Sequence, residues 1–534
     1  MKKLNIQIIL ILICLVCIIP GCSYNNLQPS VFDMDKAGSN FEITSAAKCH
    51  LIDGSVLIFQ NGFSVSNNTV RGVGERFYFS EKDKLSFYNK FIVDSFPLDS
   101  IVAITTYDDY TSARQIANGS LYFMGAIVSG VTIYCISCPK CCFGSCPTVY
   151  TYSGGVASLE TELFSSAIAR MLEYDDLDKL QEKIPDNGLY KIKITNEALE
   201  THYINKFNLI LAEHPSGTNI YPNLENGLTV INKTIQADSY VNSAGADIKK
   251  DLISEDSLNY RSDMSMVNEL RNGTKYDHIV ITSSVPENSV KAKLAVRYKN
   301  TLLSTILFYD VLLGSQGVRA IEWTDKMNND RSYASDFKMV YDNFSGMEFE
   351  YFYKGKWNYA GKFPDAGPIC WKITAAEVNV SDMKELKLRL RFIPDNFMVD
   401  YIRIEYDSKE NKNYSLEFLN PDIVFSNCND SVSKVSSLFE KSDKNYLITN
   451  PGDIYELTYK IQKRYDTEQS LLISSGGYYN EWIRGSWVRN DSTCRSFDLY
   501  NINENLRQLA QSWETNKALI ESEFINTRIA VKEK

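Results

Sequence analysis

The sequence predicts a mainly β fold that carries a few helices. The chain has 534 residues, 33 of which are tyrosines, and aromatic residues favour strands. Short apolar runs alternate with polar residues and are separated by turn pairs such as Asn61-Gly62 and Asn67-Asn68, a pattern typical of antiparallel hairpins. We therefore expect a small N-terminal β-barrel or sheet module, then an apolar helical segment, then sandwich-like β regions.

The N-terminus has the pattern of an export signal. Two lysines precede an apolar run over residues 6–19, and a small residue, Gly21, stands immediately before Cys22. This is the charged, apolar and cleavage-site order of a secretory signal. The letters IIPGC are similar to the lipobox of bacterial lipoproteins, in which cleavage leaves a diacylated cysteine. Because Pro20 is unusual in that motif, a plainly cleaved signal and an uncleaved anchor stay open beside lipidation of Cys22.

Alternation and spacing along the chain predict seven regions. Polar residues after the signal predict a tether, and the tail has helical spacing of Leu506, Leu509 and Trp513. The regions are a lipoprotein signal peptide (1–21), a tether (22–40), a small β module (41–112), an apolar segment with a cysteine cluster (113–146), a β-rich domain with a helix (147–330), a second β-sandwich-like region (331–500) and a C-terminal helix (501–534).

Residues 115–139 contain no charged side chain. That length is enough for a helix to span a bilayer. The alternative is a buried or surface-docked segment, and we favour it. The reason is topological, since a second, internal spanning helix would hold a lipoprotein in the inner membrane.

Five cysteines stand close together, at Cys135, Cys138, Cys141, Cys142 and Cys146. Their spacing misses the ferredoxin ligand run by one residue, and export of an unfolded chain argues against an iron–sulfur cluster. The paired knuckles of most zinc sites are missing, and so is the βαβ context of a redox C-x-x-C pair. Disulfides or reduced structural thiols are therefore favoured. No cofactor is expected, and zinc stays open as the alternative.

Several stretches together carry a resemblance to a family. They are CCFGSCPTVY, NEALETHYINKFNLILAEHP, VRYKNTLLSTILFYDVLLGS, LKLRLRFIPDNFMVDYIRIEYD, NYLITNPGDIYELTYKI and SSGGYYNEWIRGSW. In this order they resemble an uncharacterised family of exported bacterial proteins and lipoproteins with a CFGSCPTxY-type motif. The resemblance implies export and no particular activity. Of the clustered cysteines it includes only Cys146, so it does not support a metal function shared by the family.

Aromatic residues of the second sandwich-like region are the candidate ligand-binding set. Trp357, Tyr359 and Trp371 lie on predicted strands, where flat rings can stack on sugars or be buried by the alternation. Two of the four histidines, His202 and His214, bracket a predicted strand pair and could face each other. We expect structural roles for them, because no recognisable catalytic motif accompanies them.

The charge balance excludes one class of partner. A net charge of −10 gives no support to nucleic-acid binding, which usually needs a basic face. The leading hypothesis is a lipid-anchored protein of the bacterial envelope, on the outer membrane rather than the inner one, with a structural or interaction role and no catalysis. Its partners would be the membrane, through the lipid, and a protein or a glycan. The alternatives are carbohydrate binding through the aromatic surface and a zinc or redox role through the cysteine cluster.

Overall fold

The structure is a computed structural model. It describes residues 27–32, 38–51, 56–59, 61–77, 89–109, 146–153, 156–196, 200–256, 258–272, 276–307, 312–314, 316, 320–407, 413–426, 446–449 and 453–481, together with helical positions 503, 507, 510, 513, 514, 517, 518 and 521. The predicted signal peptide and Cys22 lie outside the described residues. So do residues 113–145, with Cys135, Cys138, Cys141 and Cys142.

The N-terminal part is one antiparallel sheet, called sheet I. Its strands are β1 (Leu27–Phe32), β2 (Phe41–Ile43), β3 (Ala46–Leu51), β4 (Val56–Phe59), β5 (Phe63–Ser66), β6 (Thr69–Phe77), β7 (Asn89–Pro97) and β8 (Ile101–Asp109). They run in the order β1-β8-β3-β4-β6-β5-β2, with β7 also beside β6. The described strands do not close on themselves. Of the two predicted forms of this module, a barrel or a sheet, they therefore form the sheet.

Turn chemistry explains the local shape of sheet I. Asn67 and Asn68 have φ of 50° and 62°, and they join β5 to β6 in the tight hairpin that the sequence predicts. Gly62 has φ of 73°, and a Cβ there would lie 1.8 Å from the carbonyl oxygen of Ile43.

The predicted tether over 22–40 was too long, because β1 pairs with β8. Pro29 is tolerated there since β1 ends the strand path.

The remaining strands are β9 (Thr148–Ser153), β10 (Val156–Glu162), β11 (Tyr174–Lys179), β12 (Leu189–Thr195), β13 (Glu200–His214), β14 (Asn219–Pro222), β15 (Leu228–Ile231), β16 (Ser239–Asn242), β17 (Tyr260–Arg261), β18 (Asp277–Ser284), β19 (Lys291–Asn300), β20 (Met347–Tyr353), β21 (Lys356–Phe363), β22 (Lys372–Asn379), β23 (Glu385–Phe392), β24 (Phe397–Asp407), β25 (Ser415–Leu419), β26 (Ile423–Ser426), β27 (Leu447–Thr449), β28 (Ile454–Lys460) and β29 (Glu468–Glu481). The helices are α1 (Met264–Glu269), α2 (Leu302–Ile306), α3 (Ala320–Asn329) and α4 (Arg331–Tyr341). Short 3-10 turns occur at Leu98–Ser100, Arg170–Leu172, Lys249–Asp251 and Leu270–Asn272.

These strands build two β-sandwiches, which confirms the predicted mainly β, sandwich-like class. In the first sandwich, sheet II (β10-β9-β12-β28-β26) faces sheet III (β11-β29-β13-β25, with β27 beside β13). In the second, sheet IV (β16-β18-β23-β20-β21) faces sheet V (β17-β24-β19-β22). Each pair of sheets encloses its own buried apolar cluster, as expected where two inner faces interdigitate.

The second sandwich is inserted into the first. β12 pairs with β28, and β13 pairs with β29, so the chain leaves the first sandwich after β13 and returns to it at β25. The expected boundary between regions 147–330 and 331–500 therefore does not divide the sheets, because β18 and β19 pair with β23 and β24 across it. Alternation predicts where strands are, but it does not say which strands pair.

One hairpin joins the two sandwiches. β14 and β15 pair with each other and lie between the outer faces of sheets III and V. On one side Ile220 and Leu228 pack with Ile210 and Leu472 of sheet III. On the other side Ile231 belongs to a cluster with residues of sheet V, namely Ala295, Ile373, Ala375 and Tyr401. The apolar residues on both faces of the hairpin are thus buried between the sandwiches.

The helices extend the core of the first sandwich. Trp323 of α3 and Phe337 of α4 are buried in its apolar cluster, with ring centroids 5.1 Å apart in an edge-on arrangement. The described positions 503 to 521 of the C-terminal segment are helical, and Trp513 is completely buried in the same cluster. This C-terminal helix therefore packs into the body of the protein.

A buried carboxylate fastens the C-terminal helix. Asp395, in the turn between β23 and β24, is fully buried. It accepts hydrogen bonds from Nε of Arg261 at 2.5 Å and Nε1 of Trp513 at 2.7 Å, and it lies 2.8 Å from Nζ of Lys517. Glu521 completes the group with a 2.5 Å ion pair to Arg261. One acidic side chain thus connects β17, the β23–β24 turn and the C-terminal helix.

We expect Asp395→Asn to lower the free energy of unfolding by roughly 3 kcal/mol, because it leaves two cations beside a neutral amide. Asparagine is the appropriate replacement, since residue 395 has φ of 60°, which asparagine tolerates. Urea denaturation measures the effect, with Glu521→Gln as the control for losing the more exposed partner. A change of less than about 1 kcal/mol for Asp395→Asn would contradict this role.

Candidate functional site

The structure describes one member of the cysteine cluster, Cys146, just before β9. Cys146 is 4% exposed and is not joined to another cysteine. Burial raises the pKa of Cys146, and the carboxylates of Glu162 and Glu200 raise it further. A protonated, buried thiol is a poor nucleophile and a poor metal ligand. For Cys146 the structure therefore supports the structural-thiol alternative.

A small polar cleft lies beside Cys146, between the two sandwiches. Its lining includes Glu162 of β10, Tyr479 of β29 and Asp365. Asp365 accepts hydrogen bonds from Nδ2 of Asn300 at 2.9 Å, the hydroxyl of Tyr341 at 2.8 Å and a backbone amide. These donors hold the carboxylate of Asp365 in place. They come from the second sandwich and from α4, so the bonds stabilise this junction.

The segment between β21 and β22 crosses the junction close to the first sandwich. The backbone N–H of Ile369 donates to Oε2 of Glu162 at 2.9 Å. Gly367 has φ of 77°, and a Cβ on it would lie 2.5 Å from the same oxygen. A glycine is therefore required for this close approach of backbone to carboxylate.

Lys372, at the start of β22, forms a buried ion-pair contact between the sandwiches. Its ammonium lies 2.5 Å from Oδ1 of Asp176 and 2.8 Å from Oδ1 of Asp178, both on β11. All three side chains are buried. Burial, and then the neighbouring Asp176, raise the pKa of Asp178 to about 6, although Lys372 opposes the shift. The cluster joins sheets III and V and carries one more carboxylate than cations.

The histidines also have structural partners. His202 contacts Oε1 of Glu200 at 2.9 Å and the hydroxyl of Thr449 at 3.1 Å. His214 contacts the hydroxyls of Thr218 and Ser470 at 2.8 and 2.9 Å. The two histidines do not face each other, which was the alternative to the structural roles expected for them. They stand near opposite ends of the single strand β13, roughly 40 Å apart at the usual rise per residue.

The described residues also bear on metal binding and membrane crossing. Across the part of the chain that the structure describes, no three or more His, Cys, Asp or Glu side chains are grouped so as to hold a metal ion. Among those same residues, none of the helices has the length and apolar character needed to cross a membrane. A zinc site made by Cys135, Cys138, Cys141 and Cys142 stays a prediction, because these cysteines lie outside the described residues.

Two of the three predicted stacking residues share one surface. Trp357 and Tyr359 lie on β21, and Tyr359 is 64% exposed. Phe352 of β20 stands opposite Trp357, with ring centroids 5.3 Å apart. The guanidinium carbon of Arg389 lies 4.4 Å from the centre of the Trp357 ring, within the range of a cation–π contact.

Charged pairs continue this surface across sheet IV. Glu350 is paired in register with Tyr359 on one side and Arg389 on the other, and Nε of Arg389 donates to Glu350 at 2.6 Å. Nε of Arg391 likewise donates to Glu348 at 2.8 Å. The alternate residues of β20 and β23 face the core. We call this surface the aromatic face; it consists of Glu348, Glu350, Phe352, Trp357, Tyr359, Arg389 and Arg391.

Trp371 does not belong to the aromatic face. It precedes β22 of sheet V, the opposite layer of the sandwich, and its ring lies 4.8 Å from the guanidinium carbon of Arg297 and 5.0 Å from Nζ of Lys299. The sequence-based set of three is therefore split. The acidic and basic pairs of the face were missed, although the alternation in MEFEYFY and LKLRLRF was a visible signal, because the pairing of β20 with β23 was unknown.

Comparison with known proteins identifies no family. No family model matches the sequence, and no curated protein matches it. Similar solved structures include the cycloalternan-forming enzyme of Listeria monocytogenes, at 9% identity and a TM-score of 0.16, covering 71% of this chain and 30% of that one. An exo-β-1,3-galactanase of Phanerochaete chrysosporium has 9% identity and a TM-score of 0.15, and the match covers 69% of this chain and 82% of that one. A protein of the Sulfolobus turreted icosahedral virus has 9% identity and a TM-score of 0.14, and the match covers 63% of this chain and 90% of that one. The chain thus spans under a third of the first of these proteins. Likenesses this weak assign no function.

We expect Asp178→Asn to raise the free energy of unfolding at about pH 7, because it removes the surplus buried charge beside Lys372. In the unaltered protein the pKa of Asp178 is about 6 when folded, above its ordinary 3.8. The folded state therefore binds this proton more tightly than the unfolded chain. The stabilisation is complete below about pH 4 and is lost as pH rises through about 6, on the order of 1 to 3 kcal/mol.

Urea denaturation between about pH 4 and pH 7 measures this effect, which Asp178→Asn should remove. The control is Lys372→Met, which leaves two buried carboxylates without their cation and should destabilise the protein across this range. If Asp178→Asn were less stable than the unaltered protein at about pH 7, the surplus-charge account would be wrong.

Proposed function

We propose that the protein is a lipid-anchored component of the bacterial cell envelope that acts by binding and not by catalysis. The N-terminal pattern supports export and lipidation of Cys22. The observation that supports a binding role is that the buried carboxylates have structural partners. Asp176, Asp178 and Asp395 hold cations and donors from distant parts of the chain, so their chemistry supports a rigid two-sandwich body.

Expression of the full chain in a bacterium fed labelled palmitate tests the anchor. We expect the label to be incorporated into the protein and the protein to be recovered with the membranes. Cys22→Ser should abolish incorporation, because serine cannot form the thioether to which the diacylglycerol is attached, while Cys49→Ser serves as the matched control. An unlabelled protein in the cytoplasmic fraction would refute an envelope role, whereas a labelled protein found in the inner membrane would correct only the choice of membrane.

Carbohydrate binding through the aromatic face is the second candidate function. Two features of the aromatic face favour it. Exposed rings of Tyr359 and Phe352 stand beside Trp357 on the β20–β21 hairpin, and rings of this kind provide large apolar contact areas with specific geometry. Arg389 and Glu350 lie next to them and offer the charged donors and acceptors that recognise hydroxyl groups. A face with both properties suits a neutral sugar chain laid along β21.

We expect Trp357→Ala and Tyr359→Ala each to weaken glycan binding roughly tenfold, which corresponds to about 1.4 kcal/mol. The probes are peptidoglycan fragments and soluble β-glucans, and the measurement is isothermal titration calorimetry. Trp371→Ala is the matched control, since this tryptophan also lies beside an arginine but on the other sheet. Absence of binding by the folded protein, or an equal loss with Trp371→Ala, would count against this candidate.

A further inference from the structure

The edge of the first sandwich carries an unusual apolar corner. β25 ends the strand order of sheet III, and β26 ends that of sheet II, among the strands that the structure describes. Residues 420–422 connect these two strands directly, so the chain turns from one sheet to the other along a single edge. We call residues 415–426 the corner edge.

Large apolar side chains point outward from the corner edge. The exposed fractions are 42% for Leu416, 64% for Phe418, 57% for Ile423 and 52% for Phe425. Their neighbours Leu419 and Val424 instead face the buried cluster of the first sandwich. The four exposed residues thus lie on the faces opposite Leu419 and Val424, where a solvated strand face would normally be polar.

The exposed pair on β25 continues a surface that is already used for packing. Leu416 is paired in register with Ala212 and Phe418 with Ile210. Ala212 and Ile210 belong to the apolar cluster under the β14–β15 hairpin. The outer face of sheet III is thus covered by the hairpin in its middle and remains apolar as far as its edge. This continuity indicates a surface built for packing.

The corner edge carries one charge on β25, Glu417, but lacks the other usual protections against strand addition. Edge strands are commonly guarded by lysines, prolines or bulges. Residues 415–426, SLEFLNPDIVFS, contain no lysine, and the single proline lies in the turn. β25 pairs with β13 without a register shift. The far side of β25 is therefore suited to accept another strand.

Glu417 is the charge that an added strand would meet on β25. Glu417 stands exposed between Leu416 and Phe418. If β25 paired antiparallel with the β25 of a second copy so that Leu416 met Phe418, the two Glu417 carboxylates would lie directly opposite each other, and like charges in that position are destabilising. An incoming strand with a basic residue between two apolar ones would match all three positions.

We propose that the corner edge binds an extended segment of another protein, which adds a strand beside β25 and carries alternating apolar and basic residues. Main-chain hydrogen bonds supply affinity in this mode, and side chains at alternate positions supply specificity. The inference rests on the proposed binding role and specifies the chemistry of a protein partner. It is separate from the aromatic face, which lies on the second sandwich.

Fluorescence anisotropy with purified full-length protein tests the proposal. The probe is a short labelled peptide with valine or isoleucine at alternate positions and lysine between them, and its match has glutamate in place of lysine. We expect saturable binding of the lysine peptide and at least tenfold weaker binding of the glutamate peptide. Glu417→Lys should reverse this preference, a result that a merely apolar surface would not produce.

Phe418→Ser should weaken binding of the lysine peptide at least tenfold. The exposed methionine of α4, replaced in Met339→Ser (62% exposed), is the control and should leave binding unchanged. Equal binding of both peptides, or no saturable binding by the folded protein, would overturn the proposal. So would a dimer in sedimentation velocity that Phe418→Ser dissociates, since the occupant would then be a second copy. None of these failures affects palmitate labelling, which tests the envelope role alone.

Discussion

The pairing of Lys372 with Asp176 and Asp178 is the contact on which the arrangement of the two sandwiches depends. One ammonium on sheet V meets two carboxylates on sheet III, at 2.5 and 2.8 Å. A buried ion pair gains little net stability over apolar packing, because desolvation offsets most of the attraction, but breaking it is costly. Its effect is therefore to favour the one register in which β11 and β22 meet. The β14–β15 hairpin adds apolar burial on both sides of the same junction.

Buried carboxylates play this part repeatedly in the protein. Asp277 accepts hydrogen bonds from the hydroxyls of Tyr260, Ser262 and Ser243 at 2.7, 2.6 and 2.5 Å. Asp365 and Asp395 gather donors in the same way at other joints. Each acid lies at the end of a strand or in a turn, and its donors come from other segments. Part of the acidic charge of the chain is thus used to join segments that are distant in sequence.

The surfaces that remain outside this framework are of two kinds. The aromatic face lies on the hairpin end of sheet IV, where alternation exposes Tyr359 and cross-strand pairing places Glu350 and Arg389 beside it. The corner edge lies on the other sandwich, where large apolar side chains are exposed at positions that are usually polar. We propose sugar binding for the first surface and strand addition for the second.

The sequence by itself determined the mainly β class, the tight turn at Asn67-Asn68 and the position of many strands, because these depend on local alternation and backbone preference. It also supplied Trp357 and Tyr359 as neighbours, since residues two apart share a face of a strand. Only the tertiary structure decided that the second sandwich is inserted into the first, that Trp371 lies on the opposite sheet, and that Lys372 meets Asp176 and Asp178. These facts depend on which distant strands pair, and pairing is selected by the burial of whole faces that no single stretch of sequence contains.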